Sequence, residues 1–555
     1  VFQKAIHMLQ TTVKSCLTSW SVMIHVIRTK GPGQLQFWLI ALFIGLGAGL
    51  STVLFRLGIS ELQAFIYGAD DITLASTASR LPWYWILFIP VIGGLIVGAI
   101  LHRYTPDGRG RSVAHVIQGV ALDNGRVEGK SGLASALASL VTLSMGGSTG
   151  REGPVVHLGA VISSKISRLI NADGVTGRNL MGCAAAAAVS ASFNAPIAGT
   201  IFALEVVLRH YAIQAFAPIV IASVAGTIVS RLTFGNLTEF DLPTVSLQFY
   251  GELPAFLLLG LLCGLVAVAM MRAIFIAEDF GDKVQDKFNI PPLIRPAIAG
   301  FGLGAIAIWF PHIIGVGYET TFSALNGNIT FWVAVVFVAV KVIAVALTFA
   351  GRMGGGVFSP SLMVGALTGL AFGWVASAIV PSAESYVILY ALAGMAAVSA
   401  AVLGAPISTT LIVFEFTGDW QTGLAVMVAV SLSSALAGRL VHRSFFLTQL
   451  ERAGVRIAAG PQEYLLATFN VAGLMQDMDD QVDYSKLISD GHYVDINATL
   501  EGAMPLFESS GSAYLPVVAG GIDKDDAGIM GVLYEVDALR AFNKALVKTV
   551  REEHD

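Results

Sequence analysis

Gly150-Arg151-Glu152-Gly153-Pro154 sets one carboxylate between glycines, directly before an apolar run. Pro154 suits the first turn of a helix, where a missing N–H costs nothing. The free amides and dipole of a helix start attract an anion, and Glu152 is placed to compete for the same spot. The implied chemistry is reversible anion binding, blocked by an ionised carboxylate and released when it is protonated. Ordinary helix capping by Glu152 is the alternative reading. Arg151 and Gly153 flank it as candidate anion-binding residues.

A partner element lies downstream. Gly354-Gly355-Gly356-Val357-Phe358-Ser359-Pro360 again joins a glycine-rich turn to a proline that reads as a helix start. Glycines let the backbone turn sharply and approach closely, so amides near Val357 and Phe358 are candidates to donate to the same anion. The two elements correspond position by position, with Pro154 on Pro360 and Gly159 on Gly365. A second pair repeats the pattern. Asn194-Ala195-Pro196 corresponds to Gly404-Ala405-Pro406, and Glu205 and Glu415 each follow nine residues after their proline. Those two carboxylates read either as structural caps or as functional groups. Duplicated segments interrupted by Gly and Pro in each half of a membrane chain point to a central site built from broken helices.

The elements that position these residues must lie in a bilayer. Of 555 residues, 55% are hydrophobic and only 13% charged, whereas soluble chains carry about 25% charged residues. Mean hydropathy is +0.72. The net charge of −5 sits mostly at the ends and in loops. Nucleic acid is not an expected partner, for there is no basic patch. The three cysteines, Cys16 and Cys183 among them, have no metal-like or disulfide-framework spacing. No nucleophilic triad, HExxH site or Walker motif is present, so no enzyme activity, metal or required cofactor is expected. His102, His115, His157, His210 and His442 read as loop or interface residues rather than ligands.

Residues 1–34 read as an N-terminal helix, interfacial or cytoplasmic. Apolar runs follow from Phe37, whose Gly45, Gly47 and Gly49 suit close helix packing, and then from Trp83 onward through 131–149, 153–170, 177–190, 196–209, 215–230, 252–277, 292–309, 329–348, 360–379, 386–400, 405–416 and 422–441. Many are shorter than the ~20 residues of a full span. Irregular backbone at membrane depth is tolerated only where it is buried in protein or lines a cavity, so function is expected at the breaks. After Gly454 the chain turns polar. Residues 455–555 read as a small α/β cytosolic domain: helix and strand over 498–518, a GGIDKDD turn, a GIMGVLYE strand and a final helix.

Taken together, GREGP at 150–154, GVFSP at 356–360 and NAPIAG at 194–199 resemble the motifs of the CLC family of chloride channels and proton-coupled chloride transporters, in order and spacing, over about 35–454. The resemblance implies an all-α polytopic fold of two inverted halves, a homodimer with one chloride pathway per subunit, and a multi-pass location in the plasma or inner membrane of a prokaryote. Under it, Glu152 resembles the gating glutamate, and the amides around Val357 and Phe358 the central anion-coordinating backbone. Either Arg111 or, with a one-residue slip, Ser112 falls on a pore-lining position. Phe446 stands where a pore tyrosine is usual and forms an apolar inner gate. Val206 stands where many exchangers carry a proton-transfer glutamate, beside a retained Glu205, which is either a substitute proton relay or structural. This favours an uncoupled channel, with H⁺/Cl⁻ exchange as the alternative. LPVV and GIMGVLYEVDALRAF resemble one CBS repeat, and VAGLM at 471–475 the opening of another, which implies a cytoplasmic regulatory domain where adenine nucleotide is a candidate ligand.

Overall fold

The computed structural model describes residues 31–211, 213–236, 253–379, 387–455, 466, 469–478, 484–518 and 528–552. The expected helix within 1–34 falls almost wholly outside them. The chain divides into two compact units, Val1–Ile457 and Ala458–Asp555.

The first unit is helical and repeats itself. Its first half runs α1 (Gln34–Tyr67), α2 (Leu74–Ala78), α3 (Trp83–Tyr104), α4 (Val113–Ala121), α5 (Gly129–Ser144), α6 (Glu152–Leu169), α7 (Gly174–Phe193), α8 (Pro196–Phe202) and α9 (Ile213–Phe234). Its second half runs α10 (Leu253–Phe288), α11 (Arg295–Trp309), α12 (Tyr318–Leu325), α13 (Phe331–Ala350), α14 (Phe358–Ile379), α15 (Val387–Leu403), α16 (Pro406–Thr417), α17 (Trp420–Val441) and α18 (Phe445–Arg452). Helices α4 to α9 correspond in order to α12 to α17. Among the described residues, seven helical stretches are long and apolar enough to cross a membrane, while α11, α15 and α16 are shorter apolar helices. Of these, α15 is enclosed, with Leu389–Val398 almost fully buried, as is Met181–Val189 of the longer α7.

Close packing rests on small residues. A Cβ on Gly45 of α1 would lie 2.5 Å from the Ala222 carbonyl oxygen of α9, and one on Gly49 would lie 2.8 Å from Gly226 Cα. Gly47 meets only the Ile162 side chain at 3.5 Å, so two of the three glycines in this run set the helix approach. Without a hydrophobic drive between helices in lipid, such backbone proximity supplies the van der Waals contact that associates them.

The helix breaks sit where prolines are, with one correction. Helices α8 and α16 begin on Pro196 and Pro406. Each follows a residue in the left-handed conformation, Asn194 (φ 56°) or Gly404 (φ 69°), that ends the preceding helix. Helices α6 and α14 instead begin at Glu152 and Phe358, two residues before Pro154 and Pro360. Both prolines still fall in the first turn, where backbone N–H groups have no partner inside the helix. Helix α10 also runs to Phe288, past the apolar run's end near 277, because Ala, Glu, Asp, Lys and Gln continue a helix readily once it leaves the apolar layer.

The second unit holds a three-stranded sheet of order β1 (Val494–Asp495), β2 (Tyr514–Val518), β3 (Ile529–Tyr534). Strand β2 pairs parallel with β1 and antiparallel with β3. Helices Leu500–Ser510 and Glu535–Glu552 accompany the strands. Leu500, Phe507, Leu515, Val517 and Leu533 form the core. The GGIDKDD turn at 520–526 lies outside the described residues.

Candidate anion site

Two backbone strands of the repeat meet head-on. Gly150 N–H donates to the Gly356 carbonyl at 2.7 Å, and Gly356 N–H donates back to the Gly150 carbonyl at 2.9 Å. Thr149 Oγ1 adds a bond to the same Gly356 carbonyl at 2.9 Å. Beside it, Gly355 holds φ +144°, and a Cβ there would lie 2.0 Å from Thr149 Oγ1. Only glycine meets both demands. This bridge sets the starts of α6 and α14 side by side.

Glu152, first residue of α6, then reaches across the repeat. It is 1% exposed. Ser359 Oγ donates to Glu152 Oε1 in a short hydrogen bond, and Ser359 N–H donates to Oε2 at 3.3 Å. Ser359 is the second residue of α14, so the carboxylate occupies the amide end of the opposite half's helix. The amide it takes belongs to Ser359, next to the expected Val357 and Phe358. Those two residues and Gly153 line the same cleft, together with Ser112, Phe446 and Gln449. The cleft's free volume is ≈ 10 Å³, about the room of one water.

Phe358 occupies in the second half the place that Glu152 holds in the first. It packs against Phe193 and Phe202, at centroid distances of 4.8 and 6.0 Å. One repeat therefore contributes a carboxylate at this position and the other an aromatic ring. Phe446 lies edge-on to Phe445, which stacks on Phe275 at 5.1 Å.

Of the two candidates one residue apart, Ser112 lines the cleft and Arg111 does not. Ser112 Oγ donates to Gln449 Oε1 at 3.2 Å. The Arg111 guanidinium pairs with Asp107 at 3.1 Å and stands 3.1 Å from His115 Nε2, so its charge faces away from the cleft. Arg151 also lies outside the lining: it is 2% exposed, with its guanidinium 4.7 Å from the Tyr318 ring centre.

Glu205 and Glu415 sit elsewhere. Helix α8 continues as a π turn, Ala203–Leu208, which carries Glu205. Its carboxylate accepts from Ile407 N–H at 2.9 Å and Ser408 N–H at 2.8 Å, with a further short bond from Ser408 Oγ. Glu415 accepts from Ile197 N–H at 2.9 Å and Ala198 N–H at 2.8 Å. Each caps the other half's broken helix, and neither lines the cleft. Val206 is buried.

Three features escaped the sequence reading. A vestibule of ≈ 380 Å³ shares Ser112, Phe349, Gly355 and Gln449 with the cleft. On its wall, Asp282 gathers three guanidinium groups: Arg295 at 2.5 Å, Arg352 at 3.0 Å and Arg109 at 3.1 Å. Lys341, the single charge in α13, is fully buried and donates to the carbonyls of Ile313 and Gly315 at 3.3 and 3.2 Å. Gly315 in turn donates to the Gly147 carbonyl at 3.1 Å, so Lys341 braces the loop that leads to Glu152. A lone Lys in a 20-residue apolar helix was the available signal. His115 and His157 are not loop residues: they sit on α4 and α6, His157 being 2% exposed. Among the described residues, no group of three or more His, Cys, Asp or Glu could hold a metal ion.

Comparison with known proteins bears on this geometry. Residues 93–438 match the family model described as voltage gated chloride channel. The putative chloride channel protein ClcB-like of Ralstonia nicotianae is 32% identical over 404 residues, covering 70% of this chain and 91% of its own length. Chloride channel protein CLC-f of Arabidopsis thaliana is 32% identical over 432 residues, or 74% of this chain but 54% of the plant protein. The chain thus spans about half the length of that longer relative. Two solved structures share the fold. A slow cyanobacterial Cl⁻/H⁺ antiporter has TM-score 0.67 at 21% identity, covering 76% of this chain and 98% of its own. A eukaryotic CLC transporter has TM-score 0.65 at 16% identity, covering 93% and 98%. With its bridged helix starts, broken-helix repeat and membrane-spanning helices, the chain belongs to the CLC, or voltage gated chloride channel, family.

Proposed function

We propose that this protein passes chloride and similar small monovalent anions across the cell membrane through the cleft between α6 and α14, with Glu152 as its gate. The observation that carries this is the Glu152 carboxylate on the start of α14. An ionised carboxylate there takes the amide end that an anion would use, and protonation removes the competitor. Val357, Phe358, Gly153 and Ser112 form the anion-facing wall, and Phe446 the inner gate. Neither enzyme chemistry nor a cofactor enters this reading.

Uncoupled, channel-like conduction is the first reading, because Val206 cannot carry a proton and Glu205 is engaged as a cap. The curated relatives named as chloride channels agree with it. H⁺/Cl⁻ exchange is the second reading, favoured by structural neighbours named as Cl⁻/H⁺ and fluoride/proton antiporters. Reversal potentials under opposed Cl⁻ and pH gradients separate them. A channel reverses at the Cl⁻ equilibrium potential whatever the pH gradient, and an exchanger's reversal potential follows ΔpH. Efflux of Cl⁻, Br⁻, NO₃⁻ and F⁻ from proteoliposomes tests selectivity, and Cl⁻ flux at the lipid background would refute the proposal.

The chain acts as a homodimer with a cytoplasmic, CBS-like tail over 455–555 in this reading. The β2–β3 pair followed by helix Glu535–Glu552 supports the CBS-like assignment. Truncation after Gly454 is expected to alter gating and spare selectivity, and titration with ATP tests nucleotide binding.

A further inference from the structure

We propose that the vestibule is a binding site for a free, multivalent oxyanion of the phosphate class, whose occupancy shuts the inner entrance of the cleft to chloride. The blocking half of this rests on the cleft being the anion path, and the binding half does not.

The vestibule wall is built to present guanidinium groups. Four line it, each from a different element: Arg109 from the loop between α3 and α4, Arg295 from α11, Arg352 from the turn before α14 and Arg452 from α18. Arg295 is the inner anchor, with its side chain only 6% exposed. Its Nε donates to the Ala350 carbonyl at 2.7 Å, and its Nη1 donates to Asp282 and to Gln285. Asp282, held in this way, accepts a single nitrogen, Nη2, from each of Arg109 and Arg352. A guanidinium carries five N–H donors, and these two side chains remain 48% and 21% exposed. One carboxylate therefore spaces and orients two accessible guanidinium groups without neutralising both.

The backbone at Arg352 supports a role for its side chain. Arg352 follows Gly351, just past the end of α13, and holds φ 55°. That left-handed position after a helix is one where glycine is the usual residue. Here the chain carries an arginine instead, and its guanidinium lines the vestibule.

Charge and shape point to the ligand class. Three guanidinium groups on Asp282 leave an excess of two positive charges. Arg452 is matched by Asp279. Glu278, which feels both Arg109 and Arg452, is the competing negative charge on the wall. Planar guanidinium forks match the paired oxygens of phosphate groups, which a monatomic chloride lacks. The vestibule's ≈ 380 Å³ lies within the range of small-ligand pockets, about 300–1,000 Å³. The cleft beyond has ≈ 10 Å³, so such an anion can lodge in the vestibule but cannot follow chloride onward. Ser112, Gly355 and Gln449 line both spaces, which puts an occupant at the mouth of the cleft. Arg452 ends α18, the last helix of this unit, so the vestibule is on the side that the conduction reading makes cytoplasmic.

Inside-out patches of the full chain test this, with inorganic pyrophosphate added to the bath at fixed pH and chloride, and gluconate at matched ionic strength as the control. Pyrophosphate is expected to lower the chloride current, and gluconate to leave it unchanged. Each variant is normalised to its own current before addition. Arg352→Gly removes one guanidinium while supplying the residue that the backbone favours, and Arg109→Gln removes a half-exposed one. Each should raise the half-blocking concentration about tenfold or more, the weight of one charged hydrogen bond. Glu278→Gln should lower it. An equal fall with gluconate reduces the effect to screening and overturns the inference. An unchanged half-blocking concentration in R109Q/R352G moves the site elsewhere, the tail included, and also overturns it. Block by a short-chain phosphoinositide without block by pyrophosphate assigns the chemistry to a lipid headgroup and overturns the free-anion site. If no form passes chloride, the conduction reading falls, and calorimetric titration of pyrophosphate into the solubilised full chain decides the binding half. Binding heat in wild type that is lost in R109Q/R352G supports the site; heat absent from wild type, or kept in the double variant, overturns it.

Discussion

Glu205 and Glu415 exchange helix starts: the carboxylate of Glu205 caps α16 at Ile407 and Ser408, and that of Glu415 caps α8 at Ile197 and Ala198. Neither α8 nor α16 supplies its own side-chain cap. Each half of the repeat therefore completes the other. Glu152 obeys the same rule at the start of α14, but there the capped end also lines the cleft. Two caps away from the cleft are thereby distinguished from one on its wall.

The first prediction follows from that distinction. Glu205→Ala and Glu415→Ala each strand two backbone amides at a helix end, an expected loss of roughly 1–3 kcal/mol. Thermal unfolding of the detergent-solubilised protein should show both variants less stable, with the anion selectivity order kept. A change in selectivity order would place these carboxylates on the anion path.

The arginines around Asp282 give the second. One carboxylate holds three guanidinium groups on the vestibule wall, so Asp282→Asn raises the local positive charge. Anion current from the vestibule side should increase, and more so at low ionic strength, where screening is weakest. Arg111→Ala should have a small effect at either salt level, because Arg111 is already paired with Asp107. A large, salt-dependent loss in R111A would return Arg111 to the pathway.

Asp419 gives a pH-dependent prediction away from the cleft. It caps α17, accepting from Thr422 N–H at 2.8 Å and Thr422 Oγ1 at 2.6 Å. Burial is the largest single influence and raises its pKa, but the Thr422 and Gln421 bonds together outweigh it and hold the carboxyl below the usual range. A depressed folded-state value contributes stability that is present above the unfolded pKa and is lost as pH falls through the folded one. Asp419→Ala should cost about 1 kcal/mol at neutral pH, and its deficit relative to wild type should shrink as pH falls below the ordinary aspartate range and the wild-type cap takes up its proton. A deficit unchanged by acid would remove the charged cap from the explanation.

The sequence carried most of the architecture because the breaks are written in residue types. Pro196 and Pro406 mark helix starts, and the Gly150 and Gly356 turns face one another as their internal correspondence implied. What it hid was tertiary. Nothing local tells Arg111 from Ser112, since a loop has no periodicity to fix register. Only the bond of Ser112 to Gln449, 337 residues away, decides which one lines the cleft. Asp282 meets Arg109 and Arg352 across 173 and 70 residues, a pairing no sequence window contains. Glu205 and Glu415 left both roles open for the same reason: their partners come from the opposite half. Lys341 was legible as a lone charge in an apolar helix, but its carbonyl partners were not.

The central claim is that Glu152 blocks the anion site at the start of α14 until it is protonated. It is tested most directly by chloride current in outside-out patches as external pH is lowered with internal pH fixed, in wild type and in Glu152→Gln. The account predicts that wild-type current rises with external acid, while E152Q passes current at every external pH with most of that dependence gone. An E152Q profile that overlays the wild-type one would contradict it.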